Sequence, residues 1–224
     1  MKLVRLIRHA ESAANAGLST TALDSIPLTE KGQLQVRAIA DSITSAPDLI
    51  ISSPFERAIA TALPTTERFS HVPFEMWPVE EFTYLSPNRF VGTTPADRKP
   101  YAESYWKIGD AEFTGGPGAE SFDHLLERAD AMLAKLADHD AQNILVFSHG
   151  QFIRAAAWLI KHGNHARSYE LMREFRAHDV REPFRNCSSY QLVFSDGRWT
   201  VECQIDSSDQ ERFSDTFCTS ERSR

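Results

Sequence analysis

Two short, largely apolar runs, residues 3–7 and 144–147, each end abruptly at a histidine: Arg8-His9 after the first, Ser148-His149-Gly150 after the second. Runs of that length read as buried strands. Open α/β sheets place their ligands just beyond the carboxyl ends of such strands. Further strand-like runs fall at residues 49–51, 72–76, 190–194 and 199–205. The intervals between the first four mostly carry helical patterns. Thr29 can cap a helix whose apolar positions Leu34, Val36, Ile39, Ala40 and Ile43 fall mainly on one side. Ser53-Pro54-Phe55-Glu56 resembles a capping box that opens a helix through Ala58, Ile59, Ala62 and Leu63. Ser121 caps another, with Leu125, Leu126, Ala129, Met132, Leu133 and Leu136 as its stripe. A fourth runs from about residue 150 to 161 and stops at His162-Gly163. Strands that alternate with helices predict an α/β fold, a largely parallel sheet covered on both faces. Ser195-Asp196-Gly197-Arg198 predicts a closing hairpin.

Nothing divides the 224 residues convincingly, so residues 1–206 are expected to form a single domain. Residues 82–119 lack a clear period yet hold Tyr84, Arg89, Phe90, Arg98, Lys99, Tyr101, Tyr105, Trp106 and Lys107, which suits a functional lid or a helical excursion. Residues 207–224 read as a polar tail, mobile unless Phe213 and Phe217 dock. A net charge of −7 disfavours nucleic-acid and anionic-membrane surfaces. No apolar run approaches the ~20 residues of a membrane span. Arg5 and Arg8 interrupt the N-terminal apolar stretch too early for a signal peptide. Three cysteines without CxxC spacing fit a reducing compartment, and cytoplasmic is the expected location. Nothing in the sequence sets the oligomeric state.

The polar residues at these strand ends share a chemistry. A phosphate monoester carries about two negative charges and strong acceptor oxygens, so its site needs fixed cations and N–H donors. It also needs an in-line nucleophile and a proton for the leaving alkoxide. Arg8 and His9 follow the first strand, and Asn15 lies in the next loop. Arg57 sits in the first turns of the Ser53 helix, Glu80-Glu81 follows residues 72–76, and His149 opens another helix. Taken singly, each has a plainer reading. Arg57 can be a solvated helix residue paired with Glu56 or Glu67, Glu80 and Glu81 surface carboxylates, and His149 a helix cap. Their joint placement at strand ends points to a site.

Five stretches carry a family resemblance: Arg8-His9-Ala10-Glu11-Ser12 with Asn15; Leu28-Thr29-Glu30-Lys31-Gly32-Gln33; Ser52-Ser53-Pro54-Phe55-Glu56-Arg57-Ala58 with Thr61-Ala62; Glu120-Ser121 with Arg128; and Ser148-His149-Gly150. In this order they resemble the histidine phosphatase superfamily, also called phosphoglycerate mutase-like, over residues 3 to about 154. The resemblance implies a three-layer αβα sandwich with a mostly parallel mixed sheet flanked by helices. It also implies that His9 becomes a phosphohistidine which water hydrolyses. Arg8, Arg57 and His149 would hold the phosphoryl oxygens, with Asn15 as a neutral donor. Losing one such donor costs roughly 3 kcal/mol. The family's acid follows an apolar-x-Glu pattern, which Val79-Glu80-Glu81 matches at Glu81. His9, Glu81 and His149 would thus be the catalytic set.

The resemblance requires no metal or other cofactor, and the His162/His165 pair reads as surface histidines. Its substrate would be a small phosphorylated metabolite, with Arg89, Arg98 and Lys99 as candidate specificity residues. Ala14 before Asn15, and Gln151-Phe152 after the second His-Gly, favour a phosphatase over a mutase. The alternatives are phosphoglycerate mutase-type phosphoryl transfer or a non-catalytic phospho-ligand module, the second disfavoured by the retained nucleophile and acid. Ala10 stands where relatives usually have glycine, and it would be strained if that position needs a positive φ.

Overall fold

A computed structural model describes residues 1–206 of the chain. The expected tail, with Phe213, Phe217 and Cys218, lies outside the described residues. The strands are β1 (Lys2–Arg8), β2 (Leu49–Ser52), β3 (Phe74–Met76), β4 (Asn143–Ser148), β5 (Ser189–Ser195) and β6 (Arg198–Ile205). They form one sheet in the order β3-β2-β4-β1-β5-β6. The first four are parallel to one another, and β5 and β6 run antiparallel to β1 and to each other, respectively.

Period-two alternation along the central strands divides the core between two faces. Val4, Leu6, Leu49, Ile51, Ile144 and Val146 pack into one cluster with α4 (Phe122–Asp138), α5 (Gly150–His162) and α6 (Tyr169–Arg181). Ile7, Ile50, Leu145 and Phe147 face the other way, toward α1 (Glu30–Ser42) and α2 (Glu56–Arg68). This is the expected three-layer α/β arrangement. Thr29 caps α1 by accepting from the Gly32 N–H, and Ser121 caps α4 by accepting from His124. All six apolar residues expected on the α4 stripe are buried. The hairpin closes as expected, with Asp196 (φ 52°) and Gly197 (φ 72°) in the left-handed region that such a turn requires.

Three expectations need correction. Leu34 is 67% exposed and Leu63 49% exposed, so each lies off the buried stripe of its helix. The strand expected at residues 72–76 shortens to β3, an edge strand with Phe74 and Met76 exposed. Ser53 does not cap α2. Phe55 occupies the N-cap position without a side-chain bond, and Ser53 serves elsewhere. Residues 82–119 hold the helical excursion, one of the two readings that their sequence allows. They contain α3 (Pro95–Ile108), opened by a reciprocal capping box between Thr94 and Asp97 with Pro95 in the first turn. Tyr105 and Trp106 are buried there and pack on Phe82, so they are core residues.

The α1 entrance fixes the loop beyond β1. Thr29 donates its N–H to the Glu11 carbonyl (3.0 Å) and its hydroxyl to Glu11 Oε1 (2.9 Å), while Lys31 pairs with Glu11 Oε2 at 2.7 Å. A Cβ on Gly32 would lie 2.2 Å from the Glu11 carbonyl oxygen, so only glycine lets the helix approach this closely. Gly32→Ala is therefore expected to cost about 1–3 kcal/mol in urea unfolding, the scale of overpacking a close contact. An unchanged midpoint would show that the loop yields freely.

Candidate active site

Parallel pairing of β1 with β4 sets Arg8 opposite Ser148, and the His9 N–H continues the ladder to the Ser148 carbonyl at 2.9 Å. The residues that follow are therefore neighbours, and the His9 and His149 ring centroids stand 5.0 Å apart. Both rings are buried. His9 Nδ1 lies 2.7 Å from the Ala10 carbonyl, an arrangement that puts the proton on Nδ1 and leaves the lone pair on Nε2. That lone pair accepts from Arg57 Nε at 3.2 Å. Burial, then the Arg57 and Arg8 charges, push the His9 pKa well below its ordinary 6.5. His149 moves the same way, from burial first and then the charges of Arg57 and its neighbours. Both imidazoles are neutral near pH 7. Ala10 carries no positive φ, and its methyl is buried in the core cluster facing α1 and α2, so the substitution for glycine strains nothing.

Arg57 follows from the adjacent strand. β2 ends at Ser52, and α2 presents Arg57 in its first turn, anchored by Nη1 to the Leu23 carbonyl at 2.6 Å. Burial lowers its pKa to about 10, still charged at neutral pH. Arg8 is held by the Phe184 carbonyl, and its Nε is buried without a partner among the described groups. Ser53, freed from the capping role, lies 2.8 Å from His149 Nε2. His149 does not line the open cleft. It sits behind His9 with Nδ1 unpartnered. Asn15 accepts on Oδ1 from the Ser12 N–H, the Ser12 hydroxyl and Asn186 Nδ2, which leaves its own N–H donors over.

Of the two glutamates, Glu81 lines the cleft with Arg8, His9, Asn15 and Arg57, and Glu80 does not. Glu81 Oε1 accepts from the Phe82 N–H (3.0 Å) and the Gln151 N–H (3.1 Å). Burial raises its pKa above the ordinary 4.5, although Arg8 and Arg57 pull it back. Arg128 fixes the chain on both sides of this residue. Its guanidinium binds both carboxylate oxygens of Glu120 (2.8 and 3.0 Å), the carbonyls of Pro78 and Glu80, and the Glu80 carboxylate. Glu120 in turn accepts from the Thr83 N–H.

The specificity candidates separate. Arg98 and Lys99 line the cleft, whereas Arg89 lies outside it and stacks on Phe90 and Tyr101. Three contributors escaped the sequence reading. Asn186 holds the His9 carbonyl (2.9 Å) together with Asn15, and Gln151 reaches Glu81 by its backbone. Asp179 on α6 accepts from the Gln151 amide and pairs with Arg176 and Arg154. Nothing in their local spacing marks them, because each acts across the fold. Among the described residues, no cluster of three or more His, Cys, Asp or Glu could hold a metal ion. No helix there is long and apolar enough to cross a membrane.

A family model described as the histidine phosphatase superfamily (branch 1) matches residues 4–207. The adenosylcobalamin/alpha-ribazole phosphatase of Salmonella typhimurium is 30% identical over 148 residues, 64% of this chain and 72% of that protein. The solved alpha-ribazole phosphatase from Shigella flexneri shares the fold with a TM-score of 0.70 at 19% identity, over 92% of this chain and 96% of that one. A mycobacterial glucosyl-3-phosphoglycerate phosphatase, solved with VO3, gives 0.68 at 24% identity over 91% and 98%.

The buried neutral histidines predict a pH dependence of stability. Their folded pKa values are depressed, so the unfolded chain takes up protons that the folded chain refuses as pH falls below 6.5. Stability is lost in that direction. Glu81 acts oppositely, since its raised pKa means that protonation relieves the folded state as pH falls toward 4.5. Urea midpoints between neutral and mildly acid pH are expected to fall for the wild type and to fall less for His9→Asn. Parallel curves would contradict the assignment of a neutral His9.

Proposed function

The chain belongs to branch 1 of the histidine phosphatase superfamily, and from that membership and the cleft geometry we propose that it hydrolyses a small phosphomonoester through a phosphohistidine on His9. The observation that carries this reading is the pairing of a neutral, tautomer-fixed His9 with a raised-pKa Glu81 on one cleft. In the first step His9 Nε2 attacks phosphorus in line while the ester P–O bond breaks. Glu81, as the carboxylic acid, gives its proton to the leaving oxygen. In the second step the Glu81 carboxylate takes a proton from water, whose oxygen attacks phosphorus. The P–N bond breaks, inorganic phosphate leaves and His9 is restored.

The remaining residues bind charge. Arg8 and Arg57 take the equatorial oxygens, and Asn15 offers its spare amide hydrogens. With the Ser53 hydroxyl donating to Nε2, the His149 proton sits on Nδ1, and its buried ring, off the cleft lining, packs beside the nucleophile. These donors are held in place before substrate arrives, so little reorganisation opposes the reaction. The chain's own residues supply nucleophile, acid and base, so the scheme calls for no cofactor.

p-Nitrophenyl phosphate turnover is expected for the wild type and to fall below detection in His9→Ala; equal rates would overturn the reading. Glu81→Gln should slow an alkyl phosphate by about 10²-fold or more, the scale of general acid catalysis. It should slow p-nitrophenyl phosphate far less in the first step, because that leaving group needs no proton. In the wild type, alkyl phosphate turnover should decline as pH rises through the raised Glu81 pKa, since the acid form is then lost. It should show no acid limb at 6.5, because His9 stays neutral there.

A further inference from the structure

We propose that the outer part of the cleft binds a second anion through Arg98, so that the substrate is a phosphomonoester bearing a carboxylate or second phosphate remote from the ester under attack. This rests on the phosphatase reading of the inner end. The cleft has a volume of about 890 Å³, within the ~300–1,000 Å³ of small-molecule sites and far more than a phosphoryl group fills. Beyond His9 its wall is formed by Ile26, Phe55, Phe82, Leu85, Phe90 and Val91, which suit an uncharged body. Two cations, Arg98 and Lys99, line the same cleft from the start of α3.

Arg98 is built as Arg57 is. Its Nη1 is tied to the Thr93 carbonyl (2.9 Å), the Thr93 hydroxyl (3.1 Å) and the Thr20 hydroxyl (3.5 Å). Thr20 and Thr93 are themselves bridged through their backbones, so the anchor is a braced pair of loops. No carboxylate among the described residues lies within ion-pair distance of Arg98, unlike Arg128, Arg154, Arg167, Arg176 and Arg181. The adjacent Asp97 is committed to the Thr94 backbone N–H (2.8 Å) and hydroxyl (2.7 Å). Arg98 Nε and Nη2 therefore remain to donate. A half-buried, pre-positioned guanidinium with spare donors on a cleft wall can donate two parallel hydrogen bonds to a carboxylate or phosphate. Partial burial also lowers its pKa, the mark of a charge shielded from bulk water. Lys99, exposed and 3.9 Å from Glu103, adds positive field without fixed geometry.

The test uses aryl phosphates carrying a carboxylate on para chains of increasing length, each paired with its methyl ester so that leaving groups match. Phosphate release is measured for the wild type, Arg98→Ala and Arg98→Lys. At one chain length the wild type should prefer the acid over its ester by at least about ten-fold in kcat/KM, the scale of one charge-assisted hydrogen bond. Arg98→Ala should abolish that preference through KM, with a much larger loss on the acid than on the ester, and Arg98→Lys should restore part of it. No acid preference at any length, or equal losses on acid and ester in Arg98→Ala, would overturn the second-anion site while the phosphatase reading stands. If the wild type hydrolyses neither compound nor p-nitrophenyl phosphate, the phosphatase reading fails and this one falls with it.

Discussion

The parallel pairing of β1 with β4 is the constraint from which the site follows. Once Arg8 stands opposite Ser148, the next residue of each strand has no choice of neighbour, and the two histidines meet. β2 on the far side of β4 ends level with them and delivers Ser53 and then Arg57. A one-residue slip would turn every core side chain of the strand to the opposite face. The apolar residues that divide between the two helix layers thus also fix the geometry of the polar residues just beyond them. Core and site are specified by the same register.

The site concentrates charge where water is scarce, and the fold offsets this by crossed pairings. Two guanidinium groups, one neutral imidazole and one carboxyl of raised pKa line one cleft, with the second neutral imidazole buried beside them. Around the carboxyl, Arg128 joins α4 to the segment between β3 and α3 through the Glu80 carboxylate and the Pro78 and Glu80 carbonyls. The Arg128–Glu120 pair is largely but not fully buried, so removing one partner leaves the other charge poorly compensated. Glu120 and Arg128 touch no reacting atom, yet they decide where Glu81 can be.

Much of this was legible from residue order because strands that end in charged residues betray both an element boundary and a function. The α4 stripe and the Thr29 and Ser121 caps could be read because local pattern and tertiary role agree. Reading failed where a residue answers to a distant partner. Ser53 has the spacing of a cap but is drawn to His149, and Arg89 shares the charge of Arg98 but stacks on two rings outside the cleft. Leu34 and Leu63 fit an apolar period yet lie on exposed helix flanks, since periodicity does not define how wide the covered stripe is. α3 has no single apolar face, and its Thr94-Pro95-Ala96-Asp97 start was the readable sign of it. α6 buries only Met172 and Phe175 on an otherwise polar helix, too sparse a stripe to announce itself.

Arg57 donates to the same lone pair with which, on the proposed mechanism, His9 would attack. The guanidinium lets go only when something offers it better acceptors than an imidazole nitrogen. A phosphoryl dianion does so as it arrives, and it thereby exposes the nitrogen that will attack it. An uncharged electrophile, whether acyl ester or phosphotriester, would offer the cation only neutral oxygens, weaker acceptors than those of a dianion. On the proposed mechanism, discrimination against neutral reagents would therefore begin at the Arg57–His9 contact, before the rest of the substrate is met.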